Sequence, residues 1–112
     1  MDRLVLHLQA EDLLHEACLR GYHLLLDLPS ALALQCALRM LNVIDMYDLE
    51  TPESVIQAVK RGMKKSVQDG RLSTRKEAQI VALYRAIENA PDEAKRLADF
   101  ALTWMYSRAR DW

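Results

Sequence analysis

The sequence predicts an all-α fold, a compact bundle of about five helices in a single domain over residues 1–112. Ala, Leu, Arg, Glu, Gln and Met dominate the composition, and these residues are strong helix formers. The chain has only three Gly and three Pro, which is little turn chemistry for a β-rich fold. Apolar residues also recur at three- and four-residue steps between capping and Pro positions, as is typical of packed helices.

The start of the chain is ambiguous over residues 3–9, where alternating leucines suit a short strand and an Asp2 cap suits a first helical turn. We expect helix there, because a lone strand has no visible partner. From Glu11 onward, an apolar stripe at helical spacing predicts a helix, and Pro29 either ends this helix or opens the next. The members of this stripe are Leu14, Ala17, Cys18, Gly21, Leu25 and Leu28.

The second predicted helix covers about residues 29–48 and is the most apolar of the five. A helix that is apolar over most of its circumference is central in its fold, or another subunit covers its second apolar side. We expect Leu38 and Leu41 to lie in the core. The polar side chains recur at steps of four, three and three and form one narrow stripe: Gln35, Arg39, Asn42 and Asp45.

The third helix is predicted to start at Thr51-Pro52, which offers a capping hydroxyl followed by proline at the first helical position. Asp69-Gly70 suits a left-handed C-cap at its end. One face, within an arc of roughly 120°, is apolar: Val55, Ile56, Val59, Met63 and Val67. The opposite face is basic and polar.

The fourth helix is predicted to start with a capping box formed by Thr74 and Glu77. Its predicted inner face comprises Val81, Tyr84 and Ile87, flanked by Ile80 and Leu83. Pro91, followed by two acidic residues, predicts the start of the fifth helix.

The fifth helix has a wide apolar surface. A seam at three- and four-residue spacing is widened by Phe100 and Trp104 to an arc of roughly 200°. Such an arc exceeds one packing face, so this helix is either inserted between others or forms an oligomer contact. We expect a homodimer through helices two and five, with these interface candidates on helix five: Leu97, Phe100, Ala101, Trp104 and Met105.

Charge is balanced in total, with 15 Lys and Arg against 16 Asp and Glu, but it is distributed unevenly. Residues 1–57 are acidic, and residues 58–85 hold most of the bases. A local field of this kind attracts an anionic partner or the acidic part of a second copy. The candidate partner-binding residues of this basic face are Lys60, Arg61, Lys64, Lys65, Arg71, Arg75 and Lys76.

Two kinds of partner suit this basic face. An acidic protein surface is favoured, because the sequence pI is near 6.3 and nucleic-acid-binding domains usually have an overall excess of base. Nucleic acid remains the alternative, with the same residues on phosphates. A standard helix-turn-helix with Gly70 as its turn glycine is excluded in that register, because the inward positions would be polar: Lys65, Asp69, Arg71, Lys76 and Gln79. The face could also be no more than a solvated surface.

Catalytic and metal-binding motifs are absent from the sequence, so we expect no enzyme, no small-molecule substrate, no metal and no cofactor. The serines suit helix starts and turns, and the glycines are isolated, so no phosphate-binding loop forms. Glu11, His15 and Cys18 share a helix face but lack a further ligand cluster. Cys18 and Cys36 are expected to be small buried residues in a reducing compartment.

No cleavable signal peptide is expected, because Glu11 and Asp12 interrupt the short apolar stretch near the start. The apolar stretch over residues 30–49 contains Arg39 and Asp45, so a membrane span is not expected either. These features predict a cytoplasmic regulatory or adaptor protein that acts by binding another protein.

Overall fold

The computed structural model describes residues 3–21 and 28–110, with side chains for residues 8–21 and 28–107. Five helices cover most of these residues: α1 (Arg3–Leu19), α2 (Ser30–Tyr47), α3 (Pro52–Gln68), α4 (Thr74–Asn89) and α5 (Pro91–Arg110). No strand occurs in the described ranges, so the predicted all-α bundle is confirmed.

Helices α2 and α5 form the centre of the bundle, since each packs against all four of the other helices. Helix α1 contacts this pair but neither α3 nor α4, so it lies on a different side of the pair from those two helices. The Cα radius of gyration is 13.4 Å, close to the value of about 13 Å for a compact chain of this length. The predicted central position of the second helix is confirmed.

Helix α1 begins at Arg3, so residues 3–9 are helical as expected. The prediction that the stripe of this helix runs on to Leu28 is wrong, because α1 ends at Leu19, but Pro29 does open the next helix as its N-cap residue. Gly21 has a φ of +81°, and its N–H donates to the carbonyl oxygen of Cys18 at 3.2 Å. A glycine in this left-handed conformation stops the helix. Leu28 packs against the core from outside α1, and Leu25 lies outside the described residues.

The inward face of α1 is also rotated from the predicted stripe. The buried positions are Ala10, Leu13 and Ala17, whereas Leu14 is half-buried and Cys18 is exposed. The predicted stripe was anchored on residues beyond Leu19 that do not continue this helix. The expectation that both cysteines are buried is therefore correct for Cys36 and wrong for Cys18.

Helix α3 starts as predicted, with Thr51 as the N-cap and Pro52 in the first turn. The Thr51 side chain accepts a hydrogen bond from the Ser54 N–H at 3.2 Å, and Ser54 Oγ accepts one from the Thr51 N–H at 3.3 Å. The predicted inner face is confirmed, with Val67 only partly buried. Gly70 has the predicted left-handed conformation, with a φ of +63°.

Helix α4 differs from the prediction in its cap and in its inner face. The N-cap is Ser73, whose Oγ accepts a hydrogen bond from the Lys76 N–H at 3.3 Å, so the proposed box of Thr74 and Glu77 is wrong by one residue. The buried face consists of Ile80, Leu83, Ala86 and Ile87. Val81 and Tyr84, which were expected to point inward, are half-buried at the side of the helix.

Helix α5 begins at Pro91 as predicted and lies between the other helices. Phe100 and Trp104 are 5% and 7% exposed, so the two residues that widen the apolar arc are buried inside one chain. The Arg20 guanidinium lies 4.9 Å from the centre of the Phe100 ring. Of the two explanations for the arc, insertion between helices accounts for it without a second subunit.

Candidate functional site: a basic groove between α3 and α4

The solvent face of α3 carries three exposed cations within two turns, namely Arg61, Lys64 and Lys65. They point outward because the opposite face of α3 is buried against the central helices. Within the described part of the chain, none of the three forms an ion pair. Like charges at this spacing repel each other by roughly 0.2–0.5 kcal/mol per pair. These cations thus form no salt bridge with the described residues, although Lys64 also acts on the Glu88 carboxylate at longer range.

Lys60 differs from the other cations of α3 because it is already paired. Its Nζ lies 2.7 Å from Glu88 Oε1 on α4, and the ammonium also lies 5.6 Å from the centre of the Tyr84 ring. The hydrogen bond from Lys60 holds the pKa of the Glu88 carboxyl below its ordinary value. Lys60 therefore links α3 to α4, and it is less available to a partner than its neighbours are.

The other three predicted basic residues lie around the start of α4. Arg71 is in the turn, Arg75 and Lys76 are in the first helical turn, and all three are exposed. None forms an ion pair with the described residues. A helix N-terminus carries partial positive charge, so cations placed there interact unfavourably with the helix dipole. This segment has a net attraction for anions from both its side chains and its backbone.

A groove of about 320 Å³ runs between α3 and α4, next to Lys64 on the solvent face of α3. Its floor is apolar, and two cations, Lys64 and Arg85, stand at its edges. No carboxylate contributes to the lining. The residues that form the groove are Met63, Lys64, Val67, Gln68, Ile80, Val81, Tyr84 and Arg85. Of the predicted basic residues, the structure therefore brings only Lys64 to this apolar depression, where Arg85 of α4 joins it.

Sequence reasoning missed this groove, because Val81 and Tyr84 were expected in the core. The available signal was the width of the apolar arc on α4. The arc from Leu83 through Ile80 to Val81 spans roughly 160° at 100° per residue, which is more than the buried face uses. Val81 and Tyr84 form the unused edge of that arc, and they open toward α3.

The predicted oligomer residues occupy a different environment from the basic face. Leu97, Phe100, Ala101 and Trp104 are buried within one chain, and Met105 is half-buried against the same core. The four buried side chains cannot contact a second copy unless the bundle opens, whereas Met105 keeps part of its surface exposed. The exposed large apolar side chains of the described region are instead Leu8, Leu19, Met46, Tyr47 and Tyr106. Of these, Tyr106 donates a hydrogen bond to the carbonyl oxygen of Leu49 at 2.6 Å.

The described residues contain no group of three or more His, Cys, Asp or Glu side chains that could hold a metal ion. Across residues 3–21 and 28–110, no helix has both the length and the apolar character needed to cross a membrane. No protein-family model, no curated protein and no solved structure matches this chain.

Proposed function

We propose that this chain is a small helical adaptor or regulatory protein that binds an acidic, amphipathic helical segment of a partner protein in the α3–α4 groove. One observation carries the proposal. An apolar groove lies directly beside exposed cations that have no ion-pair partner in the described part of the chain.

The groove and the cations suit such a ligand in complementary ways. An amphipathic helix buries its apolar face in a hydrophobic groove, using side chains at three- and four-residue steps. The floor formed by Met63, Val67 and Val81 would receive those side chains. Acidic residues flanking the apolar stripe would then face Lys64 and Arg85. Charges at the edge of an interface mainly accelerate association and select the partner.

Nucleic acid is less well suited to this surface than an acidic protein. Phosphate recognition uses the cations alone and gives no role to the apolar floor of the groove. In the proposed mode both the cations and the floor contact the ligand. A binding titration repeated at several salt concentrations separates the two kinds of partner.

The test uses fluorescence anisotropy with two probes. The first is a labelled helical peptide with leucines at three- and four-residue steps and glutamates elsewhere, and the second is a labelled duplex DNA. We expect the peptide to bind with a shallow dependence on salt, because apolar contact contributes to its affinity. A DNA complex whose logarithmic affinity falls steeply and linearly with the logarithm of salt concentration, with no binding of the peptide, would instead favour nucleic acid.

Matched variants locate the binding surface. Neutralising Lys64 and Arg85 with Gln should weaken peptide binding by roughly three- to tenfold, the effect of two exposed charge contacts. The control neutralises Lys95 and Arg96, which removes the same charge but lies on α5, where both residues already pair with acids. Equal weakening in the two variants would show that only net charge matters and would contradict docking in the groove.

The apolar floor has its own pair of variants. Val81→Ser places a hydroxyl in the groove, and Ala78→Ser changes an exposed position of α4 that does not line it. We expect Val81→Ser to weaken peptide binding and Ala78→Ser to leave it unchanged. Unchanged binding in both variants would contradict a role for the apolar floor in docking.

A further inference from the structure

A second cleft lies on the other flank of α4, between this helix and α2. Its volume is about 450 Å³, within the range of roughly 300–1,000 Å³ that is usual for small-molecule sites. Its lining residues come from α2, α4 and the turn before α4: Gln35, Leu38, Arg39, Asn42, Leu72, Lys76, Gln79, Ile80 and Leu83. Only Ile80 also lines the α3–α4 groove.

Three polar side chains of this cleft, Gln35, Arg39 and Asn42, come from the narrow polar stripe of α2. Lys76 and Gln79 of α4 complete the set. Arg39 and the three amide side chains are half-buried, and Lys76 is exposed. None of these five polar side chains forms a hydrogen bond or an ion pair with the described protein residues. The stripe thus interrupts an otherwise apolar helix where that helix borders the cleft.

The charge of the lining has one sign. Arg39 and Lys76 contribute two positive charges, and no carboxylate lines the cleft. Removing a charged group from water is costly unless a counter-charge or hydrogen bonds compensate. A guanidinium can also bind a carboxylate or a phosphate through two parallel hydrogen bonds, whereas a lysine acts as a point charge. Two cations with no carboxylate beside them therefore favour an anionic ligand in this cleft.

The remaining lining residues are apolar. Ile80 and Leu83 are buried, and Leu38 and Leu72 are half-buried at the edge of the cleft. Few convergent polar groups over an apolar wall are typical of sites for small organic ligands. An inorganic ion would leave this apolar wall in contact with water.

We propose that the α2–α4 cleft binds a small organic anion, in which a carboxylate or phosphate head contacts Arg39 and Lys76 and an apolar portion contacts Leu38 and Leu72. The amides of Gln35, Asn42 and Gln79 orient the head through hydrogen bonds. This site is separate from the α3–α4 groove, and it takes a different class of ligand.

Calorimetric titration with four probes tests the chemistry. Octanoate and octyl phosphate each combine an anionic head with an apolar tail, acetate carries the head alone, and octanol carries the tail alone. We expect at least one of the first two to bind at millimolar concentration or below, and the better of them identifies the head group. We expect acetate and octanol each to bind at least about tenfold more weakly, because each lacks half of the interactions. Octanol binding as tightly as the anions, or no binding by either anion, would overturn the proposal.

Two matched variants test the location. Arg39→Gln removes the half-buried cation of the cleft and should weaken binding of the anion about tenfold or more, the usual effect of losing a charge-assisted hydrogen bond. Arg96→Gln removes the same charge from α5, outside both the cleft and the groove, and should leave the affinity unchanged. Equal weakening in the two variants would overturn the proposal, since the anion would then respond only to net charge.

Side-chain amide resonances of the wild-type protein provide a readout that does not depend on the folding of any variant. Binding of the anion should shift the signals of Gln35, Asn42 and Gln79. The amides of Gln57 and Gln68 lie outside the cleft and serve as internal controls. Shifts confined to those controls would place the anion elsewhere and overturn the proposal.

Discussion

The two cysteines differ in reactivity because their surroundings differ. Burial raises the pKa of the Cys36 thiol to about 12, whereas Cys18 is exposed on α1. The thiolate is the reactive form, so Cys36 has almost none of it at neutral pH. We expect iodoacetamide near pH 8 to label Cys18 rapidly and to leave Cys36 unmodified in the folded protein. Mass spectrometry of the alkylated chain measures this, and equal labelling of both residues without denaturant would contradict the burial of Cys36.

Leu38 and Leu41 were both expected in the core, and the structure separates them. Leu41 is fully buried, whereas Leu38 is half-buried at the edge of the α2–α4 cleft. We expect Leu41→Ala to lower the free energy of unfolding by roughly 2–5 kcal/mol, through lost apolar contact and a residual cavity. Leu38→Ala should cost less, because its side chain is already partly in water. Urea denaturation compares the two, and a larger loss for Leu38→Ala would contradict the observed placement of α2.

The cap of α4 offers a test between neighbouring hydroxyl residues. Ser73 Oγ accepts the hydrogen bond from the Lys76 N–H, and Thr74 is the first residue inside the helix. Replacing a capping serine with alanine costs about 1 kcal/mol, with a range of roughly 0.5–2 kcal/mol. We expect that loss for Ser73→Ala and little change for Thr74→Ala, measured by chemical denaturation. A larger loss of stability for Thr74→Ala than for Ser73→Ala would instead support the capping box predicted from the sequence.

Two surface ion pairs connect α3 to its neighbours and predict an effect of acid. Lys60 binds Glu88 of α4, and Lys95 of α5 binds Glu53 at 2.8 Å. In both glutamates the hydrogen bond from lysine is the main cause of a pKa below the ordinary 4.5. A carboxyl with a lowered pKa stabilises the fold above its unfolded-state value and loses this contribution as the pH falls through its folded-state value.

The melting temperature should therefore fall between about pH 6 and pH 3, partly through these two pairs. A variant with both Glu53→Gln and Glu88→Gln should show a smaller fall than the wild type. The difference should be small, because exposed ion pairs contribute little. Thermal unfolding followed by circular dichroism at both pH values measures it, and identical falls would mean that other carboxyls account for the acid response.

The elements themselves were largely predictable from local signals. Thr51-Pro52, Asp69-Gly70 and Pro91 mark helix ends through backbone chemistry, and all three act as predicted. The end of α1 was missed, because an apolar stripe at helical spacing continued past Gly21 and outweighed a single glycine. Periodicity reports which residues are apolar, but it does not report whether the backbone between them stays helical.

The rotation of α4 has a different cause. Its apolar arc is wider than its contact surface, so the sequence allowed more than one inward direction. Packing against α2, α3 and α5 together selects Leu83 and Ile87 and leaves Val81 and Tyr84 at the groove. The cations of the candidate site could be predicted one helix at a time, but the groove beside them depends on how two helices meet. That relation is set by tertiary packing, which is not visible in local spacing.

For the whole molecule, a dimer remains a prediction, but we now expect its interface at a different surface. The five residues first expected at the interface pack inside one chain, and Met46 and Tyr47 are 62% and 59% exposed. These two side chains are the most exposed large apolar groups of α2, so we place the predicted contact there. We expect sedimentation equilibrium at micromolar concentration to give a dimer mass, and Met46→Glu with Tyr47→Glu to give a monomer mass. A monomer mass for the wild type would contradict the prediction of a dimer.

Helix α4 forms a wall of both the α3–α4 groove and the α2–α4 cleft, and Ile80 lines each of them. A ligand on either flank changes the surroundings of this shared side chain. Thermodynamic linkage requires any resulting coupling to be reciprocal: if the anion alters the affinity for the peptide by some factor, the peptide alters the affinity for the anion by the same factor. If both proposed ligands bind, α4 lies between them, and the coupling free energy between the two sites is measurable from two titrations.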